Sequence, residues 1–138
     1  MKKILITLIL TFQISFSFSQ DYTIDVTAKS KNDYKISGED LNGKIEGLDI
    51  DLNFTVGNKI VFKVSAPGHP FLIKLKPGTG KKNLVEGVDN NGIAKGVIEW
   101  VPTEPGTYYY QCLKHKGCLL YTSPSPRDNT TSRMPSSA

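Results

Sequence analysis

The sequence is short of the patterns that most functions need. No ten-residue segment keeps a helical period of apolar positions, so the chain reads as all-β. No apolar run approaches the roughly 20 residues of a membrane-spanning helix. Histidine occurs only twice, and cysteine twice, in 138 residues. Lysines and acidic residues nearly balance within the domain. The formal net charge of +4 owes Lys2 and Lys3 to the N-terminus and Arg127 and Arg133 to the C-terminus. Between residues 20 and 117 thirteen lysines stand against twelve acidic residues, interspersed as on a solvated surface. That excludes the basic stripe a nucleic-acid binder carries, and nucleic acid as a partner.

What is present begins with an export signal. Lys2 and Lys3 are followed by an apolar stretch through Phe12, then by small residues at Ser17 and Ser19. A basic n-region, an h-region and a small-x-small site predict a secretory signal over residues 1–19, cleaved after Ser19. The apolar stretch is broken by Gln13 and Ser15, so it is too short to span a bilayer. The mature protein is expected to be periplasmic or secreted, without a membrane span.

From Cys118 the composition turns polar, Pro/Ser-rich and aperiodic. Residues 118–128 and 132–138 resemble the translation of two fixed blocks of a sequencing-library adapter, with 129–131 where a variable index would be read. Residues 118–138 are therefore expected to be a non-native, disordered tail, and the natural gene to run on past Gly117. The domain is then residues 20–117.

Within it the apolar residues alternate. Tyr22, Ile24 and Val26 do so, as do Tyr34 and Ile36, and Leu48, Ile50, Leu52, Phe54 and Val56 form the longest strict alternation. Period two marks strands with one face in a core. Further strands are predicted at 60–64, with Ile60, Phe62 and Val64 on one face, and at 71–75, 94–100 and 107–112. Glycine and proline turn signals separate them. One helical turn is conceivable at 83–89. The pattern predicts an antiparallel β-sandwich. The run Tyr108, Tyr109, Tyr110 and the lone Trp100 read as ordinary core and surface positions.

The chemistry concentrates in three side chains. His69 precedes a strand, Cys112 ends another, and His115 follows Cys112 by three residues. A Cys at a strand end and a His three further on can turn both side chains toward one point. A second His from a distant strand then completes a set of two imidazole nitrogens and one thiolate. That set suits a copper ion cycling between Cu(I) and Cu(II). Cys112 and Cys118 could form a disulfide in an exported protein, but with Cys118 expected to be non-native Cys112 is the one natural cysteine, and its presence calls for an explanation such as metal ligation.

The ordered motifs Gly68-His69-Pro70-Phe71, the strand at 96–102, and Tyr108-Tyr109-Tyr110-Gln111-Cys112-x-x-His115 resemble the cupredoxins of plastocyanin/amicyanin type, from about Tyr22 to Gly117. The resemblance implies a Greek-key sandwich holding one type 1 (blue) copper ion. It implies His69, Cys112 and His115 as the equatorial ligands. An axial Met is expected at or just after position 118, where this chain has Cys118, and the last strand is expected to be missing. The implied function is one-electron transfer with weak, transient redox partner proteins, by a monomer that is not an enzyme. A single domain lacks the extra histidines of a multicopper oxidase. Cys-x-x-His is not the Cys-x-x-x-Cys of a binuclear site. Two other readings stay open: a periplasmic copper carrier or storage protein using the same ligands, and a metal-free sandwich acting as an interaction module.

Overall fold

The computed structural model describes residues 21–114 and 119–125. The signal segment, His115 and Cys118 lie outside the described residues. Ten strands follow one another: β1 (Tyr22–Ala28), β2 (Tyr34–Asp40), β3 (Gly43–Leu48), β4 (Leu52–Thr55), β5 (Ile60–Ser65), β6 (Phe71–Lys74), β7 (Val88–Asp89), β8 (Lys95–Trp100), β9 (Tyr108–Cys112) and β10 (Leu119–Ser125). They form a six-stranded sheet in the order β3-β2-β1-β5-β8-β7 and a four-stranded sheet in the order β4-β10-β9-β6. The all-β sandwich expected from the alternation is what the chain adopts.

The two sheets bury the faces that the period-two pattern marks. Ile24, Phe62 and Ile98 of the larger sheet, and Phe54, Phe71 and Tyr110 of the smaller, are wholly removed from solvent. Aromatic rings form the spine of the core. Phe62 lies 5.3 Å from Phe71, which stacks on Tyr110 at 5.2 Å and meets the edge of Tyr34 at 5.3 Å. Trp100 is buried against Tyr108, at 4.8 Å and near-perpendicular, as a core residue would be.

Several local expectations need correction. The sandwich is mixed rather than antiparallel throughout, because β1 pairs with β5 and β4 with β10 in parallel. Long connections leave room for such pairings, which a tight hairpin cannot make. The alternation from Leu48 to Val56 is not one strand. Asp49 takes a left-handed conformation, with φ of 47°, and the chain leaves the larger sheet after β3 to enter the smaller as β4. Leu48 is consequently half exposed. Residues 83–89 form no helix. Asn83 sits at φ of 58°, and the backbone bonds to β6 through Leu75 N to Asn83 O and Val85 N to Ile73 O. A left-handed residue stops a helix before it starts.

The C-terminal segment differs too. Leu119–Ser125 occupies a central place in the smaller sheet, antiparallel to β9 and parallel to β4. The last strand is therefore present as backbone, and residues 119–125 are not the disordered tail expected from their composition. The physical reason is the slot: two strands with open edges offer unmet N–H and C=O groups to any extended chain that follows them. The occupant fits that place poorly. Pro124, in register with Phe54, brings no N–H to a central strand.

Asp49 carries a pH dependence. Its carboxylate accepts from Tyr34 N at 2.9 Å, yet burial, opposed by that hydrogen bond and reinforced by nearby Asp33, pushes its pKa from 3.8 up to about 6. The folded state then holds the proton more tightly than the unfolded one, so stability falls as pH rises from about 3.8 to about 6 and stays lower above it. Asp49→Asn keeps the acceptor and tolerates the left-handed φ. It is expected to raise Tm at pH 7, with the gain vanishing toward pH 4. Thermal melts of both proteins across that range check this; a gain independent of pH would refute the burial cause.

Candidate metal centre

The site is built where the smaller sheet ends. β6 and β9 pair antiparallel with Phe71 opposite Cys112, so the residue two before Phe71 is carried to the end of β9. Cys112 points inward beside Tyr110 and Phe71 and is wholly buried. His69 is half-buried, in the turn between β5 and β6. Gly68 makes that turn at φ of 78°, a conformation that suits glycine. His69 N donates to Ala66 O at 2.9 Å and Phe71 N to Ile93 O at 3.0 Å.

These constraints bring two side chains 43 residues apart into contact: Cys112 Sγ lies 3.8 Å from His69 Nδ1. A metal bonded to both, with about 2.3 Å to sulfur and about 2.0–2.1 Å to nitrogen at a trigonal opening, would hold the two donors about 3.8 Å apart. The observed spacing fits such an ion, and one soft thiolate with one imidazole is the donor chemistry that copper accepts. Among the described residues no three His, Cys, Asp or Glu side chains gather. His115 would have to complete the set, and it follows directly on the last described residue of this loop, Lys114.

The loop after Cys112 is tied to the His69 turn, since Leu113 N donates to Pro70 O at 3.1 Å. Sequence reasoning missed what holds the turn from beneath. The Tyr34 hydroxyl, on a buried ring, reaches His69 O at 3.0 Å and Pro70 O at 3.1 Å. Asn91 clamps β6 by donating to Ile73 O at 2.9 Å and accepting from Ile73 N at 2.8 Å. Neither contact leaves a trace in local sequence, because both join residues far apart in the chain. Lys74 and Gln111, both buried, also escaped it. They lie on the outer face of β6 and β9, under a loop that packs on that face. Burial holds the Lys74 ammonium below the usual lysine range.

Tyr34→Phe removes one hydroxyl and leaves the ring. The expected loss is about 1 kcal/mol, or about 4–8 °C in Tm for a domain of this size. Differential scanning calorimetry checks it. An unchanged Tm would mean the hydroxyl does not hold the His69 turn.

No protein-family model matches this sequence, and no curated protein matches it either. The fold does have a counterpart among solved structures. The copper protein rusticyanin superposes with a TM-score of 0.51, over 76% of this chain and 78% of that one, at 16% sequence identity. At that identity the likeness is one of fold, and the fold is cupredoxin-like.

Proposed function

We propose that the chain is an exported type 1 copper protein of plastocyanin/amicyanin kind, carrying one electron at a time, with His69, Cys112 and His115 as ligands. The observation that carries this reading is the 3.8 Å approach of Cys112 Sγ to His69 Nδ1 at the end of a cupredoxin-like sandwich. Copper bound there would supply a one-electron Cu(I)/Cu(II) couple, for which thiolate and imidazole are suitable donors in both states. The chain's own residues do the rest. Tyr34 and the Leu113–Pro70 bond fix the His69 turn against the end of β9. Phe71 and Tyr110 pack beside Cys112 and keep water from the sulfur side. Ligands held on a rigid frame need not rearrange when the charge of the site changes. No substrate reaction is assigned, so the protein is read as a carrier rather than an enzyme.

Colour discriminates the readings. Addition of Cu(II) to the purified protein is expected to give an intense blue absorbance. Copper uptake without that band would favour carriage or storage. No uptake would leave a metal-free interaction module.

We also propose that residues 118–138 derive from library adapter. Unassembled sequencing reads across codon 117 test this: reads that continue into CLLYTS from independent libraries would refute it. Reads that diverge there would supply the native axial residue.

A further inference from the structure

The near-balanced charge of the domain is unevenly placed along the chain. Acidic residues of the domain lie at 21–51 and 86–104, and none occurs at 52–85 or 105–127. Those two acid-free stretches supply β4, β5, β6 and β9, and with them the loops at the His69–Cys112 end. Buried Lys74 donates to Gly80 O at 2.9 Å and to Gly78 O. Gly78 N donates to Gln111 Oε1 at 2.8 Å, and Gly80 N to Leu113 O at 3.2 Å. The loop from Leu75 to Asn83 is thereby pinned beside the residue that follows Cys112. It carries Lys76, Lys81 and Lys82, all exposed, and exposed Lys114 stands two residues past Cys112. None of the four makes an ion pair among the described residues.

From this arrangement we infer that the metal-centre end is a basic docking surface for an acidic electron-transfer protein. The inference rests on the copper reading for its purpose, but the surface itself does not depend on metal. Because its backbone is already pinned, the loop loses little further backbone freedom on contact, which favours binding. A patch of four charges suits a small, weak encounter whose rate is raised by steering. A long polyanion such as nucleic acid would run off the patch onto the acidic stretches and be repelled there.

Two measurements test the surface. In the first, the isotope-labelled protein is titrated with an oligoglutamate peptide and with duplex DNA of equal charge, and amide shifts are followed by NMR. Shifts are expected at Gly80, Lys81, Lys82 and Lys114 with the peptide and weaker ones with DNA. Equal or stronger shifts with DNA, or shifts spread over the whole surface, would overturn the assignment. In the second, the reduced copper form is oxidised by anionic hexacyanoferrate(III) at about 10 mM ionic strength, where charges still act over about 30 Å before they are screened. Lys81→Gln/Lys82→Gln is expected to slow this roughly threefold or more, because removing charges at a contact rim acts on the encounter rate. Lys44→Gln/Lys63→Gln, exposed elsewhere with the same charge change, is expected to leave it within experimental error. Equal slowing by both pairs would reduce the effect to net charge and refute the patch. If the protein takes up no copper, the copper reading fails, while the peptide titration still decides the surface.

Discussion

Phe71→Ala is expected to lower Tm by about 15 °C or more. Phe71 has no solvent exposure and is ringed by Tyr34, Phe62 and Tyr110, each with its centroid within 5.3 Å of it. Truncating a buried Phe removes its transfer free energy and leaves a cavity, a loss of about 3–5 kcal/mol. A domain of this size is stable by only about 5–15 kcal/mol, and each kcal/mol moves its Tm by about 4–8 °C. The loss reaches the candidate site as well, because Phe71 is the register partner of Cys112 and lies two residues after His69. Leu75→Ala, at a side chain about half exposed, is the matched control, expected to change stability by no more than about 0.5 kcal/mol. Calorimetry on the two variants separates the cases. A fall of less than about 4 °C for Phe71→Ala would mean that the two sheets do not close on that ring.

Cys112→Ser is expected to abolish the blue absorbance and weaken copper binding by well over about a hundredfold. Groups that merely orient a metal ligand already contribute about 10- to 100-fold to affinity, and here the thiolate donor itself is removed. Serine offers a harder oxygen with little tendency to ionise, so neither the softness nor the charge of the thiolate survives. The metal-free protein should still fold, since serine is close in volume and only a small buried hydroxyl is added. His69→Ala tests the same centre from the other loop, and should also lose the blue band without global unfolding. Visible absorbance and competitive copper titration read both variants, with melting curves to verify the fold. An undiminished band in Cys112→Ser would place the copper elsewhere in the molecule. Retention in His69→Ala would remove that residue from the ligand set.

Much was determined by the amino-acid sequence alone. The alternation of Ile60, Phe62 and Val64 marks a buried strand face because successive side chains in a strand point to opposite sides, and β5 buries those three. The absence of helical periodicity was an equally local fact, and no helix occurs among the described residues. His69 before a strand and Cys112 at the end of another were legible as candidate ligands because each motif fits within a few residues. Tertiary structure decided whatever depends on distance through space. Leu48 and Leu52 share one alternation, yet Asp49 breaks it with a left-handed turn that sends them into different sheets. Residues 119–125, which keep no period-two alternation, still pair as a strand because β4 and β9 leave a slot open to them. Tyr34 reaches the His69 turn across 35 residues, and the loop carrying Lys76, Lys81 and Lys82 is held against β9 and Leu113 by buried Lys74, by Gln111 and by the Gly80–Leu113 bond. Strand propensity and ligand type are written residue by residue, whereas sheet membership and register arise from pairings between distant segments, which one-dimensional periodicity does not encode.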